Sequence, residues 1–450
     1  MPEAQQEEEP LPESNAPLLS FEESWQKIQA HYPLLKKQNA RLEEALALQS
    51  QAVSGLLPKL QGNVGWKRTD DPTEVFMSKL KQRSFTDDDF RISNLNHPDD
   101  YNNYNGALRL EIPLFDAFQT IASMRTAKHL VQSRQEEQSF TRMEASLLAI
   151  EAYLNSALAE RLLRLASVTL RASEKDLKEA QELKEQGLVV GADFFAGRVA
   201  SSKLQQTRNA LTAHRRATLA ALNILQNENV ETAHRFSPLP ELSAPPQKNM
   251  TEWIAQALLF RSDLAALQAT IKAKTSELGR EKAKWLPRVS AFGQTESNTR
   301  KFEKQADNYT VGVQGTVDLF DPAYSARVKA ARAALEQLQQ DDAALRDEIA
   351  RTVAEAASRY DASLADAPAS QQAAQDAKEA VALTEKLYRE GRKSIADLQA
   401  MRAMALEAES AAQETVVRAE SARSRLLFLS GQLDDFEVKK IASRWSSLAP

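Results

Sequence analysis

Two hydrophobic periods alternate along this chain, and their order predicts its elements. From Leu60 the period is two: Leu60, Gly62, Val64 and Trp66 alternate with Gln61, Asn63, Gly65 and Lys67, which describes a strand with one apolar face. A second run sets Leu108, Leu110 and Ile112 opposite Ala107, Arg109 and Glu111. The polar stretch Thr69–Asn103 separates them, so strands at 60–67 and 107–114 are expected to pair as a hairpin with a long loop. Further on, 289–295 reads as a weaker strand, because Phe292 falls on the face of Ser290 and Gln294. Its expected partner at 309–319 alternates cleanly, with Tyr309, Val311, Val313, Gly315, Val317 and Leu319 on one side.

Elsewhere the pattern is helical. Phe21 to Ala52 places Trp25, Ile28, Leu42, Leu46 and Leu48 at helical spacing and stops at Gly55 and Pro58, predicting one helix. From Ala117 to Glu185 there is neither proline nor glycine, and strong helix formers dominate. A helix of roughly 70 residues would be about 100 Å long, too long for the core of a compact globule. A returning helix is expected from Asp193 to Gln226, followed by a boundary rich in proline (Pro238, Pro240, Pro245, Pro246). The order then recurs: a helix over 250–284, Trp285-Leu286-Pro287, the two later strands, a long helix over 322–390 and a last helix over 394–429 that stops at Gly431. Pro322 suits a first helical turn, whereas Pro368 inside the helix predicts a kink.

The recurrence extends to residues. Gly187-Leu188-Val189-Val190-Gly191-Ala192-Asp193 has its counterpart in Gly391-Arg392-Lys393-Ser394-Ile395-Ala396-Asp397, 204 residues on, and Arg198 and Arg402 follow at the same spacing. Leu114-Phe115-Asp116 recurs as Leu319-Phe320-Asp321. The chain is therefore expected to be an internal two-fold repeat: an acidic, disordered segment over 1–19, a first copy over 20–240 with a helical hairpin at 117–228, a second over 250–433 with a hairpin at 322–430, and a tail over 434–450. Its class is mainly α with a small β part.

Composition removes several functions. The formal net charge is −5 over 450 residues, and Glu3, Glu7, Glu8, Glu9 and Glu13 stand in a start that carries no basic residue. The remainder is balanced, so there is no basic excess to neutralise phosphates and no nucleic-acid partner is expected. With no cysteine, disulfides, thiolate metal sites and a cysteine nucleophile are absent. Met1–Pro17 lacks the basic start and apolar run of an export signal, and no stretch reaches the length of an apolar transmembrane helix. Contact with a membrane is expected through strands or a surface helix. His31, His97, His129, His214 and His234 are scattered without metal-ligand spacing, and Asp87-Asp88-Asp89 reads first as a solvated loop. No cofactor, metal or catalytic group is expected.

Four sided strands cannot close a barrel, and an open sheet would leave unpaired edges that lipid cannot satisfy. The Ala-rich helices likewise need neighbours on both sides. Oligomerisation answers both needs.

This arrangement resembles the outer-membrane efflux protein family, the TolC-like trimeric exit ducts, over about Ser20 to Leu433. Arg261-Ser262-Asp263-Leu264 is similar to the family's Arg-Pro-Asp-Leu segment, with Ser262 in place of its proline; Leu286-Pro287 precedes a strand as in the family, and the Leu-Phe-Asp triplets stand where strand passes to helix. The resemblance implies a homotrimer in which three chains give four membrane strands each to a twelve-stranded barrel in outer-membrane lipid. The helices would continue as an α-helical barrel through the periplasm. It also implies partners: a periplasmic adaptor and an inner-membrane pump of a tripartite efflux or type I secretion system. The reversals at Gly187 and Gly391 would be the periplasmic tip, with Leu188, Val189 and Val190 an exposed edge for an adaptor. Asp193 and Asp397 match tip aspartates, and Tyr388 and Lys393 fall where the family often has an aromatic and a basic gate residue. The acidic ring that some members place one turn later falls at Ala400. The plainer role of both aspartates is capping, and that of Arg198 and Arg402 is interhelical or exposed charge. Trp66 and Trp285 suit an interfacial belt. Three alternatives stay open: a soluble coiled-coil scaffold, a periplasmic adaptor, and an enzyme on a helical scaffold.

Overall fold

A computed structural model describes residues 16–239, 248–301 and 306–446. Most of the expected acidic segment, Pro240, Pro245 and Pro246, and the last four residues lie outside them. The elements in chain order are β1 (Leu18–Leu19), α1 (Phe21–His31), α2 (Pro33–Ser54), β2 (Lys59–Thr69), α3 (Pro72–Lys81), α4 (Ile92–Asn96), β3 (Tyr101–Phe115), α5 (Gln119–Glu185) and α6 (Gly191–Gln226). There follow β4 (Arg235–Phe236), α7 (Met250–Phe260), α8 (Ser262–Ala283), β5 (Arg288–Thr299), β6 (Ala306–Thr316), α9 (Tyr324–Arg389), α10 (Ile395–Leu429) and α11 (Asp435–Ser446). The described residues form two compact units, one drawn from the ranges 1–41, 134–266 and 342–450 and one from 42–133 and 267–341. These units do not follow the two sequence copies, because each draws on both.

The smaller unit holds one antiparallel sheet in the order β2-β3-β5-β6. Its register puts Leu60 opposite Leu110, Leu110 opposite Gly293 and Gly293 opposite Val311, so the alternations of all four strands add to one face. That face carries Leu60, Val64, Trp66, Tyr104, Leu108, Leu110, Ile112, Tyr309, Val311 and Val313; the other carries Gln61, Asn63, Asn105, Arg109, Glu111, Gln294, Thr310 and Gln314. Phe292 lies on the polar face for a local reason. It stands opposite Gly312, where an added Cβ would come within 3.0 Å of its ring, and Arg109 stacks 5.0 Å from its centroid. The glycine leaves the space and the guanidinium covers the ring.

The connection after β2 is more ordered than a polar loop. Asp71 caps α3, with Pro72 in its first turn. Phe76, Phe85 and Phe90 then stack edge to face with centroids 4.9 and 5.1 Å apart. Lys79 and Asp89 pair at 2.7 Å, and Gln82 donates to Asn102 O and Asn103 Oδ1.

The larger unit has one main core, in which Trp25 and Ile28 of α1, Ile150 and Leu154 of α5, Leu222, Trp253, Val353 and Leu426 are buried with Val438, Ile441 and Trp445 of α11. The expected tail from 434 is therefore corrected: most of it is a helix whose apolar side completes this core. The expected disordered start is corrected at its end, where Leu18–Leu19 pair in parallel with Arg235–Phe236 and Tyr153 Oη donates to Leu19 O at 3.0 Å. Two expected single helices are broken. Pro33 lacks an amide hydrogen and opens α2 after Tyr32, and Arg261 separates α7 from α8. At the second break Arg261 forks onto Asp263 at 2.9 and 2.6 Å, and Gly431 (φ +72°) comes so close that a Cβ would lie 2.7 Å from the Phe260 carbonyl. By contrast, α9 continues through Pro368.

Candidate functional site

The two helix reversals are built alike. At the end of α5 the amide of Leu188 donates to Leu183 O and that of Gly187 to Lys184 O, both at 2.9 Å; at the end of α9 Arg392 donates to Leu387 O at 2.8 Å and Gly391 to Tyr388 O at 2.9 Å. Gly187 (φ +75°) and Gly391 (φ +70°) take the left-handed conformation that this C-terminal cap requires. Each following helix then starts four residues after its glycine.

The caps that start those helices differ, and this corrects the expectation that both aspartates cap. The residue capping α10 is Ser394, whose Oγ accepts from the Asp397 amide at 3.1 Å, while the Asp397 carboxylate accepts from the Ser394 amide at 3.2 Å. Asp397 is thus the reciprocal partner in a capping box, and Lys393 Nζ stands 3.7 Å away. These backbone and lysine interactions hold its carboxyl below the ordinary range. Before α6 the cap position is Val190, which has no side-chain oxygen, and Asp193 lies in the first turn without capping it.

Between the reversals lies a small core of Ala180, Phe194, Ile395 and Leu398, with Leu177, Val189 and Tyr388 packed on it. Val189 is therefore half-buried rather than part of the exposed apolar edge. Leu188 and Val190 are 71% and 66% exposed, and Phe195 and Val199 of α6 are exposed as well. Gly197 faces Ile395, where an added Cβ would stand 3.2 Å from Cγ1, so the missing side chain sets how closely α6 and α10 approach. The Tyr388 hydroxyl is buried without a hydrogen-bond partner among the described residues, and that burial pushes its pKa up.

Next to this core, polar links that sequence reasoning missed join α5 to α10. Ser173 Oγ donates to Gln399 Oε1 at 2.5 Å. Arg402, read from sequence as an ordinary charge, donates to Asp176 at 2.6 Å and to Glu385 of α9 at 3.3 Å. Both ends of the shorter link are almost buried, and burial raises the Asp176 carboxyl despite the opposing pull of Arg402. The linked residues are 226 apart in sequence and the repeat is 204, so comparing the copies gave no signal. The available clue was the matching spacing of three in Ser173/Asp176 and Gln399/Arg402.

No described helix is long and apolar enough to cross a membrane, and no described carboxylate or histidine cluster could hold a metal ion. A sheet apolar on one face, joined to two long helical hairpins with matched reversals, defines an outer-membrane channel protein. The profile of the outer membrane efflux protein family matches residues 25–228 and 253–432, and the chain belongs to that family. It is similar to the alkaline protease secretion protein AprF of Pseudomonas aeruginosa, 24% identical over 372 residues, which span 77% of this chain and 74% of that one. Its fold is also that of the Campylobacter jejuni CmeC outer membrane channel (TM-score 0.76, 16% identity, 96% and 90% of the two chains). The Neisseria gonorrhoeae MtrE channel in its open state is similar too (TM-score 0.71, 18% identity, 92% and 90%). Family membership displaces the scaffold and adaptor alternatives.

Proposed function

We propose that this chain is one protomer of a homotrimeric exit duct, passive in itself, whose twelve-stranded barrel opens through the outer membrane and whose paired helix reversals form a periplasmic gate. The observation that carries the reading is the sheet. Its outer strands β2 and β6 each have one edge unpaired among the described residues, and Val64 and Val311 on its apolar face are 93% and 74% exposed. Lipid can cover such a face but cannot hydrogen-bond such edges, so further copies must supply the missing strands.

The reversals act as gate and docking tip. Leu188 and Val190 provide apolar surface for the helical hairpin of a periplasmic adaptor, which couples the duct to an energised inner-membrane pump. The likeness to AprF supports a secretion role; that to CmeC and MtrE supports only the fold. The links from Arg402 to Asp176 and Glu385 favour the closed arrangement, because α10 cannot swing from α5 without separating a nearly buried ion pair. Tyr388, Gly391, Lys393 and Asp397 fix the second reversal, and Gly187 and Val189 the first, with Asp193 a free charge among the described residues in the first turn of α6.

Two measurements test the proposal. Outer-membrane fractions should yield a trimer that resists detergent until heated, and a monomer there overturns the duct. In planar bilayers, Arg402→Met combined with Asp176→Asn removes the ion pair while Glu385 keeps Arg389 at 2.5 Å, and should raise single-channel conductance or open time several-fold. Conductance equal to that of the unaltered channel removes this pair from the gate.

A further inference from the structure

Away from the reversals, the larger unit contains a cavity of about 250 Å³ lined by Lys248, Trp253, Tyr360, Arg423, Leu426, Leu427, Gln432, Glu437 and Lys440. Its polar atoms are mostly donors. Lys248 Nζ lies 4.5 Å from the Trp253 ring centre and donates to Gln256 Oε1 and Gln432 Oε1 at 2.9 and 3.1 Å, both neutral acceptors. The hydroxyl of Tyr360, a residue only 3% exposed, has no hydrogen-bond partner among the described residues. Burial pushes its pKa up, so it stays a neutral donor at ordinary pH. Arg423 spends one nitrogen on Glu437 at 3.2 Å, but its Nη1 is buried without a hydrogen bond among the described residues, 4.0 Å from Glu420.

An unmet buried donor is costly, and here two stand in one cavity beside an ammonium that no carboxylate among the described residues neutralises. We propose that this cavity binds a small organic carboxylate, its charged end between Lys248, Tyr360 and Arg423 and its apolar part against Trp253 and Leu427.

The charge of the lining selects among anions. Among the lining residues three cations face one carboxylate, Glu437, which is paired with Arg423 and with Lys440 at 3.4 Å, while Glu420 behind Arg423 is matched by Arg444 at 2.6 Å. That leaves a modest positive excess, suited to a single negative charge, and Glu437 would repel a doubly charged phosphate. The indole and the leucines favour an apolar substituent over a bare inorganic ion. The cavity shares no residue with the helix reversals, so the inference stands apart from the gating proposal.

Calorimetric titration of the detergent-solubilised full chain with sodium benzoate tests it, with inorganic phosphate as comparison. Saturable benzoate binding is expected, weakened about tenfold or more by Tyr360→Phe and by Lys248→Met. Phosphate should bind more weakly than benzoate. Both variants should keep the thermal unfolding midpoint within a few degrees, which separates a lost contact from a lost fold. No saturable heat with benzoate, equal affinity in both variants, or tighter binding of phosphate would each overturn the assignment.

Discussion

At the scale of single residues, the two reversals separate capping from other roles. Removing Ser394 Oγ by Ser394→Ala should destabilise the start of α10 by about 1 kcal/mol, seen as faster amide exchange over residues 395–399. Asp193→Ala should change the start of α6 by no more than about 0.5 kcal/mol, because Val190 holds the cap position there. The same geometry sets a pH dependence. The Asp397 carboxyl is lowered by its bonds in the folded state, so the folded reversal binds its proton less readily than the unfolded chain. That stabilisation is complete above the unfolded value near 4 and is lost as pH falls through the lower folded value. The protection of amides 395–399, taken relative to the intrinsic exchange rate at each pH, should therefore fall below about pH 4 in the unaltered protein. In Asp397→Asn this acid-induced component should be missing, and its persistence would assign the effect to another group.

At the scale of elements, the Gly431 approach gives the sharpest expectation. A side chain there meets backbone rather than a flexible group, at a positive φ, so Gly431→Ala should cost about 2–4 kcal/mol, read as a lower thermal unfolding midpoint. The sequence stated Gly431 as a helix stop but could not show what packs on it, since closeness to Phe260 is a tertiary fact. The same boundary runs through the other elements. Long runs without proline or glycine announced α5, and strict alternation announced β2, β3 and β6, because those patterns are set by local geometry. Phe292 blurred β5 because its compensation, Gly312 and Arg109, comes from neighbouring strands. Pro33 lay inside an otherwise periodic run, and a proline in a first turn reads like continuation when both flanks are helical. In α11, Val438, Ile441, Ala442 and Trp445 do recur at helical spacing, a signal hidden by position near the end of the chain. At the reversals, both glycines and the Asp397 position were legible from the repeat. The ion pair of Arg402 was not, because its two sides are unrelated by that repeat.

At the scale of the whole molecule, the two edges of the sheet bear on the proposed assembly. Every strand pairing in the sheet is antiparallel, so β6 of one copy can extend β2 of the next without reversing direction at the seam. A ring formed this way would have no edges, and in the proposed barrel the face with Leu60, Leu110 and Val311 would turn to lipid and that with Gln61, Arg109 and Gln314 to the channel. Arginine at Val311 should therefore destabilise the assembly by about 2–4 kcal/mol if it lies near the bilayer midplane, whereas arginine at neighbouring Thr310 should leave assembly intact and alter ion selectivity. The chain contains no cysteine, so introduced cysteines report the seam without background. With one cysteine scanned along β2 from Gln61 to Lys67 and another along β6 from Asn308 to Gln314, oxidation in outer-membrane vesicles should trap linked dimers and trimers at one register. The ladder should stop at three, because ring closure joins the third copy back to the first. Longer ladders would mean an open or larger assembly. Absence of cross-links at every register would mean that β2 and β6 do not meet, and the sheet would then require another partner at its edges.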